Sequence, residues 1–164
     1  MPFAPGKRLV TFKRINSKEM NMEYKLTYKN FNEALKKGNK LLGLKCHECG
    51  AITCPPKMTC QECGSTNLGI VELGGKGKVV TFTVSYVPGL GREVEVPILI
   101  IMVELDEGPW IMGNLAGIDP NRADIGLIGK RVKLGPRSRL WPPDSYATGP
   151  EFEGGGARPV FDFD

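Results

Sequence analysis

The chain has 164 residues, enough for one domain with a real core plus a small metal-binding module. Its 22 Lys and Arg against 18 Asp and Glu leave a net charge of +4, too mild to argue by itself for a nucleic-acid partner. The longest apolar run, Val96 to Val103, is too short to span a bilayer, and the opening Met1-Pro-Phe-Ala-Pro-Gly-Lys-Arg has no apolar stretch of the secretory type, so a soluble cytoplasmic protein with reduced thiols and no membrane contact is expected.

Residues 1–27 mix charges with little periodicity and read as an extended arm. A helix leading into the next module is expected over 28–44: Asn30 and Glu33 form a plausible capping pair, Phe31, Ala34 and Leu35 share a face, and Gly38 is placed to stop it. The short apolar stretch Leu41 to Leu44 then runs directly into the first of two cysteine pairs.

Those pairs, Cys46 and Cys49, then Cys60 and Cys63, have C-x2-C spacing with ten residues between them, the pattern of two knuckles closing a tetrahedral metal site over 45–68. Gly50 and Gly64 each follow a pair, where a knuckle must turn its amides toward sulfur. Four thiolates leave no open position for water or substrate, so the metal is expected to fold the ribbon rather than to catalyse; zinc is favoured, with iron the alternative for the same four sulfurs. The fifth cysteine, Cys54, reads as a small apolar side chain, and His47, the only histidine, sits between two ligands and is expected to face solvent.

Residues 69–140 read as strands. Gly74-Gly75-Lys76-Gly77 is a turn that lacks the GK[ST] and the following helix of a phosphate loop. Lys78 to Val87 alternates, with Val80, Phe82, Val84 and Tyr86 on one face and Val79, Thr81, Thr83 and Ser85 on the other. Further strands are expected at Ile98 to Leu105, Trp110 to Leu115 and Arg131 to Leu134, which together imply a small barrel or sandwich. Lys130, Arg131, Lys133, Arg137 and Arg139 then gather beside Trp141, a set able to hold phosphates and stack a purine, although a solvated strand edge is the plainer reading. Residues 141–164 form a Pro/Gly-rich tail ending in Val160, Phe161 and Phe163, an anchor for docking on this domain or on a partner. No internal repeat is present.

The order of these motifs resembles a family. It runs from the helix Phe31 to Lys37 through CxxCG, Pro55-Pro56-Lys57 and the second CxxCG to Gly75-Lys76-Gly77-Lys78-Val79, and on to Val103-Glu104-Leu105-Asp106-Glu107-Gly108 and Gly129-Lys130-Arg131-Val132. It is similar, over roughly Tyr28 to Leu134, to the acyl-CoA-associated OB-fold proteins with a rubredoxin-like zinc ribbon, once known only as a domain of unknown function. Pro159-Val160-Phe161-Asp162-Phe163 also looks like that family's end, whereas Cys54, where members usually place an aromatic residue, and the arm before Tyr28 depart from it.

The resemblance implies a mainly β protein: an N-terminal helix and zinc ribbon, then an OB-fold barrel, with extended N- and C-terminal segments. It implies an accessory subunit in a hetero-oligomer with a thiolase-like catalytic subunit, with an acyl-CoA thioester at the shared interface and the catalytic residues on the partner. The cations at 130–139 with Trp141 would then face coenzyme A. Within this chain no Ser/His/Asp set, Cys/His dyad or paired carboxylates can be assembled. Two other readings stand beside it: a nucleic-acid binder built on the same two modules, which would lack stacking aromatics on a strongly basic face, and an enzyme using Cys54.

Overall fold

In the computed structural model, residues 26–89, 93–140 and 156–164 are described. The expected arm over 1–27 lies outside them except for Leu26 and Thr27, and so does Trp141.

Helix α1 spans Tyr28–Gly38. Its cap is Thr27, not the Asn30–Glu33 pair: Thr27 has extended backbone (φ −82°, ψ 160°) and its hydroxyl accepts the Asn30 N–H at 3.2 Å. A capping side chain must precede the first helical residue, and Asn30 already lies inside the first turn. The stop is Asn39 rather than Gly38; Asn39 takes the left-handed conformation at φ 49°, and its N–H bonds the Leu35 carbonyl at 3.0 Å. Phe31 and Leu35 are the buried face of α1.

Strands β1 (Leu41–Cys46), β2 (Ile52–Thr53) and β3 (Leu68–Leu73) form an antiparallel sheet in the order β2-β1-β3, with Leu41 opposite Leu73 and Cys46 opposite Leu68. This sheet carries the cysteine knuckles at one end. At the other end Leu41 and Leu73 join Phe31 and Leu35 in the same core cluster as the barrel, so ribbon and barrel share packed apolar residues.

The barrel consists of β4 (Lys76–Ser85), β5 (Ile98–Leu105), β6 (Trp110–Leu115), β7 (Arg131–Leu134) and β10 (Val160–Phe163). It closes in the order β7-β4-β5-β6-β10 and back to β7, with every pairing antiparallel except β6 with β10. This is the five-stranded OB arrangement. A two-stranded ribbon, β8 (Arg139–Leu140) with β9 (Ala157–Arg158), sits in the connection between β7 and β10.

Strand β5 alternates strictly, with Leu99, Ile101, Val103 and Leu105 buried. Strand β4 does not follow the alternation expected from its sequence. A bulge at Val80 lets Val79 pair with Val103 and Thr81 with Met102, so Val79 is buried, 1% exposed, while Phe82 and Val84 pack against the core beyond the bulge. One inserted residue exchanges the faces of everything on one side of it, which a period-two reading cannot register.

The chain's final apolar residues, grouped by sequence with the tail, form β10. Phe161 is fully buried, and a Cβ on Gly113 of β6 would lie 2.7 Å from its Cε2, so β6 needs a glycine there to admit the ring. The anchor therefore docks on this domain.

Candidate functional site

The two knuckles repeat one backbone device. The Cys46 N–H donates to Ala51 O at 2.8 Å and Gly50 N–H to Cys46 O at 3.0 Å; in the second knuckle Cys60 N–H donates to Ser65 O at 2.9 Å and Gly64 N–H to Cys60 O at 3.0 Å. Gly50 and Gly64 have φ of 75° and 74°, the left-handed conformation that glycine adopts without strain. The turn aims amide groups at sulfur. Cys49 and Glu48 donate to Cys46, Cys63 and Glu62 donate to Cys60, Ala51 donates to Cys49, and Ser65 donates to Cys63.

The four sulfurs all lie within 4.8 Å of one another, with Cys46–Cys63 at 3.6 Å and Cys49–Cys60 at 3.5 Å. A tetrahedron with metal–sulfur bonds of about 2.3 Å has edges of about 3.8 Å, so the donor set fits zinc. The amide of Cys49 leads in pulling the Cys46 thiol down to about 6, and that of Cys63 leads in lowering Cys60. At Cys63 the Ser65 amide favours the thiolate, but the crowding sulfurs of Cys49 and Cys46, with burial, outweigh it and push the thiol to about 12. Four thiolates this close need a dication to coexist. With all four positions supplied by cysteine, an ion held here would be structural and would have no place for substrate.

Neither other candidate near the ribbon belongs to the metal set. Cys54 is 5% exposed and its Sγ donates to the Leu42 carbonyl at 3.5 Å. Burial, with the nearby Glu107 charge, pushes its thiol to about 12, the opposite of what a nucleophile needs. His47 is exposed, and its ring lies over Gly69, where a Cβ would come within 2.6 Å of Nε2.

Three of the basic residues expected to face coenzyme A have carboxylate partners. Arg131 makes a two-pronged pair with Asp106 at 2.7 and 2.8 Å, Lys133 reaches Asp164 at 3.4 Å, and Arg139 bonds Glu95 at 2.7 Å. The Arg131 guanidinium holds the Asp106 carboxyl below the usual carboxylate range. Lys130 and Arg137 make no ion pair among the described residues, and Trp141 is outside them.

The outer face of β4, β5 and β6 is a feature that sequence reasoning missed. Cross-strand pairing sets Lys78 beside Glu104 and Trp110, Thr81 beside Met102 and Met112, and Thr83 beside Ile100. Trp110 is 53% exposed and Met112 48%. The indole bonds the Glu104 carboxylate, which Lys78 also holds at 2.8 Å, so the Trp110 ring is pinned on the sheet with part of its surface open. The only charges in these rows, Lys78 and Glu104, neutralise each other. The signal was legible in β6, where Trp110 and Met112 occupy the solvent-facing positions between buried Ile111 and Gly113.

Two family models match. Residues 35–69 match the ChsH2 rubredoxin-like zinc ribbon domain and residues 70–135 the ChsH2 C-terminal OB-fold domain. A DUF35 domain-containing scaffold protein of Methanocaldococcus jannaschii is 33% identical over 98 residues, which cover 57% of this chain and 70% of that protein. A "Probable enoyl-CoA hydratase alpha subunit" of Thermomonospora curvata is 34% identical over 91 residues, but this chain spans only 28% of its length. Among solved structures, a chain of the "Ltp2-ChsH2(DUF35) aldolase" superposes with a TM-score of 0.58 at 30% identity, covering 81% of this chain and 91% of that one. The metal set, the five-stranded barrel and these matches agree: the chain belongs to the DUF35 family, in which a rubredoxin-like zinc ribbon is joined to an OB fold.

Proposed function

We propose that this chain is a non-catalytic accessory subunit of a thiolase-type acyl-CoA enzyme, that it docks on the catalytic subunit, and that it helps to form the coenzyme A channel. The observation that carries this reading is the outer face centred on Trp110, Met112, Met102 and Ile100, whose one lysine and one carboxylate neutralise each other. In an OB fold this sheet face is a customary binding surface, and exposed Trp and Met on a rigid sheet are the residue types that dominate protein interfaces. A nucleic-acid binder would need cations there to meet phosphates, and the one lysine in these rows is spent on Glu104. The buried, protonated Cys54 removes the support for an enzyme working through that thiol.

The ribbon would hold zinc through Cys46, Cys49, Cys60 and Cys63 and so orient the barrel's entry strand. For the thioester, the substrate we propose is 2-benzoylsuccinyl-CoA, with this chain in the role of the small subunit of the benzoylsuccinyl-CoA thiolase of anaerobic toluene degradation. Of the cations proposed for coenzyme A, Lys130 and Arg137 are those with no ion pair among the described residues.

The test is an affinity pull-down of the tagged chain from its native cells, with mass spectrometry of what comes with it. A stoichiometric thiolase-like subunit is expected, retained by wild type and lost with Trp110→Asp while zinc content stays at one per chain. Recovery of nucleic acid instead, or a catalytic subunit held equally well by Trp110→Asp, would overturn the reading or the face assigned to it, respectively.

A further inference from the structure

The two knuckles treat their cysteines unequally, and both in the same way. The first cysteine of each pair is closed off: Cys46 is 1% exposed and Cys60 3%. The second of each, Cys49 and Cys63, is exposed together with the residues on either side of it. The glycine that follows leaves the approach open, since a Cβ placed on Gly50 or Gly64 would meet nothing within 4 Å.

Amide bonding divides the sulfurs along the same line. Cys46 receives two backbone amides, those of Glu48 and Cys49, and Cys60 receives those of Glu62 and Cys63, whereas Cys49 has the amide of Ala51 and Cys63 that of Ser65. Each N–H directed at a thiolate draws on the lone pair that would attack an electrophile. Where a dication holds all four sulfurs as thiolates, acidity no longer ranks them; nucleophilicity and access do. Both favour Cys49 and Cys63. The remaining thiol, Cys54, is 5% exposed, bonded to the Leu42 carbonyl and outside the metal set.

We propose that Cys49 and Cys63 are modification sites for soft carbon electrophiles of the Michael-acceptor class, such as enones and quinones, and that one adduct at either sulfur opens the ribbon. In this reaction the thiolate forms an S–C bond to the β-carbon, the π pair of the double bond shifts to the α-carbon, and that carbon takes a proton from water. A neutral thioether then stands in place of an anionic donor, which leaves three thiolates around the ion and weakens the hold on it. The knuckle end buries little besides Cys46 and Cys60, so it has no core to keep its shape once the ion is lost. The inference stands on the cysteine cage and is independent of the accessory-subunit reading.

The experiment treats the full zinc-loaded chain with a substoichiometric dose of N-ethylmaleimide, maps the singly modified species by peptide mass spectrometry, and follows released zinc with a chromogenic chelator. Adducts are expected on Cys49 and Cys63, at least about tenfold ahead of Cys46 and Cys60, the worth of one charge-assisted hydrogen bond. Zinc should leave in step with the first adduct. Cys54→Ala should change neither the adduct pattern nor the zinc release, because that thiol is buried outside the cage. First adducts on Cys46, Cys60 or Cys54, or equal labelling of the four cage cysteines, would overturn the assignment of the sites. Adducts on Cys49 and Cys63 that leave zinc fully bound would overturn the opening of the ribbon.

Discussion

The knuckle end of the ribbon and the barrel are held by different physics. Around the four sulfurs the chain buries little besides Cys46 and Cys60 themselves; Cys49, Cys63 and the residues after them are exposed. The barrel encloses Leu99, Ile101, Val103, Ile111, Val132 and Phe161 with almost no solvent access. A segment without a core depends on its ion, while a closed sheet around a core depends on packing, and the two should therefore fail under different insults.

Removing the metal is the largest perturbation. Structural zinc contributes about 10–16 kcal/mol in isolated zinc-finger peptides, so chelation, or Cys60→Ser, should abolish metal binding and melt the knuckles. Hydrogen exchange should show Cys46–Gly50 and Cys60–Gly64 amides losing protection while those of β5 and β6 keep theirs. Loss of protection throughout would show that the core residues shared through Leu41 and Leu73 make ribbon and barrel one cooperative unit.

Phe161→Ala attacks the other region. It removes the ring that β10 brings to the barrel centre and should cost about 3–5 kcal/mol by thermal or denaturant unfolding, with zinc content unchanged. Thr27→Ala should cost about 1 kcal/mol, because it removes only the bond from the Thr27 hydroxyl to the Asn30 amide that caps α1. Asn30→Ala should cost less than Thr27→Ala, since Asn30 contributes its main-chain amide and not its side chain to that cap.

The smallest effect is electrostatic. Arg131 depresses the Asp106 carboxyl in the folded chain, so the pair stabilises fully above the unfolded value of about 4 and its contribution is lost as pH falls through the lower folded value. Both side chains are about half exposed, so the worth is about 0.5 kcal/mol. The stability difference between wild type and Asp106→Asn, which cancels any acid loss of metal common to both, should be present at pH 7 and shrink as pH falls below the ordinary carboxylate value of about 4.

What sequence reading captured follows from the range of the interactions involved. The metal site was legible because a knuckle is local: two cysteines three apart and a glycine after them suffice, and the structure brings all four sulfurs together. The strands β5, β6 and β7 were legible because their alternation reflects local exposure. The helix was legible as an element but not in its caps, because whether Thr27 or Asn30 supplies the capping group depends on where extended backbone ends. The partners of the basic strip were not legible, because Asp106, Glu95 and Asp164 lie far from Arg131, Arg139 and Lys133 in sequence.

By itself, then, the sequence determined the thiolate cage, the helix and the run of short strands, since each is written in spacings of two to four residues. Tertiary structure alone decided that β10 returns to pair in parallel with β6 and close the barrel, and that the Val80 bulge turns Val79 inward. The reason is one of distance: these arrangements join residues far apart along the chain, and only the closure of a barrel around a single core fixes which faces and which charges meet.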